Sequence, residues 1–193
     1  MRRPIMVTLA AMLLGTAGAA TAEPADLPRL MAALAARKTS EARFVEQRHL
    51  AMLKEPLKSE GRLRYVAPDK LEKLTLYPRP QRLSVEGDRV VLDPAPQGAP
   101  PTLSLAAQPE VGAFVEAIRG TLAGDLPALE RFYGVGFEGS LADWTLRLEP
   151  KAAAVRKLLA GIVVTGRGTE IRSLEFRQTD GDRTEMMVFE DRN

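Results

Sequence analysis

Apolar and polar residues alternate along most of this chain, and turn signals interrupt the alternation roughly every 8 to 12 residues. A period of two belongs to strands. Intervals this short leave no room for the crossover helix that a parallel neighbour requires. The pattern therefore restricts the chain to an antiparallel meander. Residues 42–52 alternate loosely and end at Lys54-Glu55-Pro56. In 57–66, Leu63 and Tyr65 alternate with Arg62 and Arg64. After the turn Ala67-Pro68-Asp69, residues 70–77 place Leu74 and Leu76 on one face and Lys73 and Thr75 on the other. Pro78-Arg79-Pro80 turns again. Leu83 and Val85 lead into a Gly87-Asp88 hairpin, and Val90 and Leu92 follow.

Residues 94–101 hold four prolines and exclude regular ladder pairing. A short strand over 102–105 is predicted after them. Helical spacing appears twice. Leu27, Leu30, Met31 and Leu34 mark a first helix over 27–37 behind an Asp26 cap. Val111, Phe114, Val115, Ile118 and Leu122 mark a central helix that starts at Pro109 and stops at Gly124. Asp125 caps a second short helix with Leu126, Leu129 and Phe132 on one face. Strands resume near Tyr133. Trp144, Leu146 and Leu148 alternate cleanly until Pro150 stops them, and a helical turn at 151–158 precedes three last strands over 159–167, 169–178 and 183–190. The reading is a mainly β (α+β) fold of ten to eleven antiparallel strands. A sheet this long curls, and the helices are the natural cover for its concave face.

The first 22 residues read as a Sec-type signal peptide: Arg2-Arg3, an apolar run over 5–19, then Ala20-Thr21-Ala22. The expectation is an exported, cleaved chain with a single domain over 23–193, located in the periplasm and without stable membrane insertion. No cysteine is present, which removes disulfides, thiolate catalysis, cysteine metal sites and an acyl anchor. The 27 Lys+Arg against 25 Asp+Glu balance once Arg2 and Arg3 are cleaved, so nucleic-acid binding is disfavoured.

Chemistry is sparse. The chain has no nucleophile elbow, Walker loop, HExxH or Rossmann fingerprint. His49 is the only histidine and reads as a surface strand residue. Asp180 and Asp182 read as turn residues. A hydrolase would have to be built from these three. The reading is therefore not an enzyme, with no cofactor and no metal. Two uses of the apolar faces remain: an ordinary packed core, or a cavity between the curled sheet and its helices.

Several motifs, taken in order, resemble the periplasmic outer-membrane lipoprotein carrier family (LolA-like). They are Phe44-Val45-Glu46-Gln47, Ser59-Glu60-Gly61-Arg62-Leu63, Pro68, Pro78 and Glu86-Gly87-Asp88. Leu122-Ala123-Gly124-Asp125, Trp144 to Pro150 and Gly181-Asp182-Arg183 resemble a divergent branch of it. The resemblance implies a half-open β-barrel with a helical lid over an apolar cavity. It implies a monomeric carrier that takes acylated cargo, lipoprotein or lipid, from an inner-membrane exporter to an outer-membrane acceptor. The alternative is a non-enzymatic envelope assembly or protein-interaction module with an ordinary core. Ala67 stands where the family has an arginine that bonds the lid, so any latch must differ here.

On this reading the lipid-binding positions are Leu63, Tyr65, Leu74, Leu76, Leu83, Val85, Val90, Leu92, Trp144, Leu146 and Leu148. The lid positions are Leu30, Leu34, Phe114, Val115, Ile118 and Leu122, with Gly120 and Gly124 as either hinges or simple helix stops. Met186 and Met187 lie on opposite strand faces, so at most one points inward.

Overall fold

A computed structural model describes residues 26–94 and 102–190. The signal peptide at 1–22 and all but the first residue of the proline-rich loop lie outside the described residues. Eleven strands form one antiparallel sheet. After helix α1 (Asp26–Ala36) come β1 (Thr39–His49), β2 (Leu57–Val66), β3 (Lys70–Tyr77), β4 (Gln81–Glu86), β5 (Arg89–Asp93) and β6 (Thr102–Ser104). Helices α2 (Pro109–Ala123) and α3 (Leu126–Phe132) follow. Then come β7 (Tyr133–Ser140), β8 (Asp143–Pro150), the short α4 (Ala153–Arg156), β9 (Leu159–Arg167), β10 (Glu170–Gln178) and β11 (Arg183–Glu190).

Every strand neighbours its sequence neighbour, with two exceptions. The first and last strands, β1 and β11, pair in the middle of the sheet, and β6 and β7 are its two edges. The sheet is thus a circular meander left unclosed between β6 and β7, where α2 and α3 connect the edges. Ala42 lies opposite Glu190 along the β1–β11 seam, and Phe44 lies opposite Val188. Arg37, just after α1, fastens this seam. Its guanidinium donates to both carboxylate oxygens of Glu190 at 2.9 and 2.8 Å and to the Thr169 carbonyl at 2.6 Å. The bidentate, charge-assisted geometry raises the Arg37 pKa.

The helices begin and end where their sequence allows. Asp125 caps α3 by accepting from the Ala128 amide at 3.0 Å. Gly124 closes α2 at φ 63°, and the Asp125 amide returns to the Gly120 carbonyl at 2.9 Å. Both glycines also permit close approach. A Cβ at Gly124 would stand 2.0 Å from the Met31 carbonyl oxygen, and one at Gly120 would stand 2.7 Å from Leu129 Cδ2. These two positions therefore lock α2 against α1 and α3.

Apolar parity on the concave face builds two cores. The larger joins Leu30, Met31 and Leu34 of α1 and Leu129 of α3 to Trp144, Leu146 and Leu148 of β8 and Ile162 and Val164 of β9. Burying each Leu or Ile there contributes about 1.5–3 kcal/mol. The smaller joins Val85, Val90 and Leu105 to Val115 of α2. Pro150 stops β8 as expected: it is the strand's last residue, opposite Tyr133. The pairing with β9 has ended by then at Leu148, so its missing N–H costs no ladder bond there.

Candidate functional site: a lidded apolar cavity

Between the two cores the concave face is not filled. A cavity of about 530 Å³ lies under α2. Strand register explains its walls. One row of directly paired residues runs Leu146, Val164, Leu174, Met186, Glu46 and Ser59 across β8, β9, β10, β11, β1 and β2. Its β8 and β9 members are packed core; Leu174, Met186 and Glu46 line the cavity. A second row, Glu190, Ala42, Leu63, Lys73 and Leu83, floors the other half. Phe114, Val115, Ile118 and Leu122 of α2 close the top.

Three contacts hold α2 in place. Phe114 stacks on Phe176 at 4.2 Å between centroids. The Tyr133 hydroxyl donates to the Ala113 carbonyl at 2.6 Å, and burial pushes the phenol's pKa well above its ordinary value. Arg119 donates to the Gly87 carbonyl in the β4–β5 turn at 2.8 Å. Ala67, at the end of the β2 ladder, offers no such donor.

The wall holds one charged pair that hydrophobic patterning does not reveal. Lys73 Nζ lies 2.5 Å from Glu46 Oε2, and Ser59 Oγ donates to Glu46 Oε1 at 3.1 Å. Glu46 is only 8% exposed. Lys73 reaches it across Gly61, where a Cβ would stand 1.9 Å from the Leu74 carbonyl oxygen and 3.0 Å from Phe44 Cε1. The ammonium lies 4.8 Å above the Phe44 ring on the way. The glycine of the Ser59–Leu63 motif thus makes room for the Leu74 backbone and for the Phe44 ring over which Lys73 lies.

The predicted positions divide by face and by cover. Leu63, Tyr65, Leu83 and Val85 line the cavity, as do Phe114, Val115, Ile118 and Leu122. Leu74 and Leu76 do not. Lys73 pairs with both Leu63 and Leu83, so its even-numbered neighbours point the other way. Leu76 is half exposed, and Leu74 sits in a shallow outer groove with Arg62 and Arg82. Trp144, Leu146 and Leu148 face inward but are covered by packed core, and so are Leu30 and Leu34. Val90 is buried in the smaller core, and Leu92, opposite Leu83, falls beyond the lining. Glu46, Lys73, Leu71, Leu174, Phe176 and Val188 line the cavity without having been singled out from the sequence. Met186 lines it too, while Met187 points outward, 49% exposed.

Of the three residues a hydrolase would need, His49 makes no hydrogen bond through Nε2 to Asp180 or Asp182 among the described residues. His49 is on the outer side of β1, its Nε2 3.9 Å from a Glu185 oxygen. Asp180 accepts from the Asp182 amide, and Asp182 accepts from the Ala51 amide at 2.8 Å. Among the described residues no group of three His, Cys, Asp or Glu is placed to hold a metal, and no helix is long and apolar enough to cross a membrane.

Residues 19–189 match the family model described as outer membrane lipoprotein carrier protein LolA-like. No curated protein matches the chain significantly. Solved structures with a similar fold include a LolA superfamily protein from Nitrosomonas europaea, at 10% identity and TM-score 0.45, covering 87% of this chain and 94% of that one. A DUF1329 family protein from Desulfovibrio piger is 11% identical at TM-score 0.47, with 84% and 88% covered. A chain of the MucA/MucB complex of Pseudomonas aeruginosa is 14% identical at TM-score 0.43, with 84% of this chain and 55% of that chain covered.

Proposed function

The chain belongs to the LolA-like outer membrane lipoprotein carrier family, and on that premise we propose that it is a periplasmic carrier holding acyl chains of a lipoprotein or lipid in the cavity under α2. It receives its cargo from an inner-membrane exporter and delivers it to an outer-membrane acceptor. The observation that supports this reading is the unfilled, largely apolar cavity of about 530 Å³ beneath a helix. Each methylene withdrawn from water contributes about 0.8 kcal/mol, so a long chain does not cross an aqueous compartment unaided at a useful rate. The protein supplies shelter rather than bond chemistry.

Release requires the shelter to open. Helix α2 is the lid, and the Arg119 bond to the Gly87 carbonyl is the tether that replaces the family's arginine at Ala67. Because Gly120 and Gly124 are packed against Leu129 and α1, the lid moves as a body with its neighbours instead of bending at those glycines.

The test is native mass spectrometry of the protein purified from the periplasm, with lipid extraction of the same sample. A discrete adduct of acyl-lipid or lipopeptide mass is expected. A bare mass, with no uptake of added phospholipid or lipopeptide, overturns the carrier reading in favour of an envelope interaction module.

A further inference from the structure

The cavity's polar groups are not spread evenly. At the end formed by the start of β1 and the end of β11, charges are mutually satisfied: Glu190 with Arg37, Arg64 with Glu41, and Glu72 with Arg82. At the opposite end, where β1 finishes and the β10–β11 hairpin turns, the pattern differs. Both Glu46 oxygens already have a donor, from Lys73 and from Ser59. One oxygen of the Asp182 carboxylate, Oδ1, accepts from the Ala51 amide at 2.8 Å. The cations there retain unused donors. Lys73 has three N–H groups and spends one on Glu46. Arg48 lines the same end and has no ion-pair or hydrogen-bond partner among the described residues. Thr184, directly opposite Arg48 on β11, adds a hydroxyl to this end.

Burying an ion pair in an apolar wall rarely stabilises more than well-packed hydrophobic residues would. A pair lining a ligand cavity, with two ammonium N–H groups to spare and an unpaired guanidinium beside it, favours a group that accepts hydrogen bonds. Size sets the rest. At roughly 30 Å³ per methylene, about the share of one water in the liquid, 530 Å³ holds about 17 such groups. That is one long acyl chain, not two or three.

From these observations, and resting on the carrier reading above, we infer that the cavity takes a single acyl chain ending in an oxyanion, carboxylate or phosphate. The chain lies under α2 and the head lies at the Lys73–Arg48 end. The phenyl face of Phe44 and the Glu46 carboxylate hold Lys73 in place to meet that head.

Delipidated full-length mature protein is titrated with palmitate, methyl palmitate, palmitoyl lysophosphatidate and dipalmitoyl phosphatidate, reading displacement of a fluorescent fatty acid. Palmitate or the lysophosphatidate, or both, bind one per protein and roughly tenfold to a hundredfold tighter than the methyl ester, the range expected of a charge-assisted hydrogen bond. Whichever of the two binds tighter identifies the head as carboxylate or phosphate. The exposed-site variant Arg48→Gln, and the double variant Glu46→Gln with Lys73→Met, which leaves no unpaired buried charge, each narrow the gap between acid and ester while ester affinity is retained. Equal affinity for acid and ester, or two-chain phosphatidate binding as tightly as the single-chain form, overturns this inference and leaves the carrier reading standing. Failure of all four to bind overturns both.

Discussion

Ala42→Phe separates cavity from core with effects of opposite sign. Ala42 lies at the seam between Leu63 and Glu190 and lines the cavity floor. The substitution adds six aromatic carbons, roughly 100 Å³ at protein packing density, about a fifth of the 530 Å³ available. An acyl chain then loses room for about three methylenes, worth about 2.5 kcal/mol at ~0.8 kcal/mol each, or nearly two powers of ten in affinity. Stability moves the other way, because filling part of a cavity adds about 0.5–2 kcal/mol. The assay is displacement of a fluorescent fatty acid by saturated acids of increasing length, beside a thermal melt. In the wild-type protein affinity rises about fourfold per methylene until the cavity is full. In Ala42→Phe the rise stops about three carbons sooner, while the melting temperature is unchanged or higher. A variant that melts normally and keeps the wild-type chain-length profile refutes the placement of acyl chains in this cavity.

Leu146→Ala costs about 2–5 kcal/mol in urea unfolding because Leu146 is wholly buried, whereas Leu76→Ala, half exposed on the outer face, stays within about 0.5 kcal/mol; equal costs would contradict the facing of β3 and β8. Arg119→Ala removes the bond to Gly87 and accelerates hydrogen exchange across 109–123 without changing the far-ultraviolet spectrum; unchanged exchange would show that the tether holds nothing. Burial raises the phenol pKa of Tyr133 in the folded state, so its stabilisation is complete below the ordinary value near ~10 and is lost as pH climbs beyond it, the unfolded chain releasing the proton first. Tyr65 acts with the same sign, so Tyr133→Phe flattens the alkaline decline without abolishing it, and identical slopes in the two proteins would rule the coupling out.

The strands were legible because each is bounded by local chemistry. Alternation and turn residues alone placed 57–66, 70–77, 159–167 and 183–190 where β2, β3, β9 and β11 lie. The first strand was read three residues late. Its inward row includes Glu46 and Arg48, which blur the pattern that defines a strand's face. The same cause misassigned β3. The rule that the apolar side faces inward picks Leu74 and Leu76, but Lys73 faces in, where Glu46 meets it across β2. No local pattern carries that information. Nor does any local pattern reveal that β11 lies beside β1, so the wall that Leu174, Phe176 and Val188 make with Met186 was not foreseen. Inward parity was read correctly for Trp144, Leu146 and Leu148. Whether an inward residue meets void or neighbour depends on where the helices fall, and here they fall over β8.

Arg37 and Glu190 are 153 residues apart in sequence, yet they secure the middle of the sheet. A Sec-exported chain emerges N terminus first, so β1 to β5 are free to form their hairpins early, while β1 waits for β11 as its second neighbour. Pairings of such long range form late in folding because the intervening chain must first be ordered. The cavity is therefore a product of completion: its two walls meet only when β11 docks. A chain without β11 carries half a surface and no enclosure, so on the proposed carrier reading only finished molecules load.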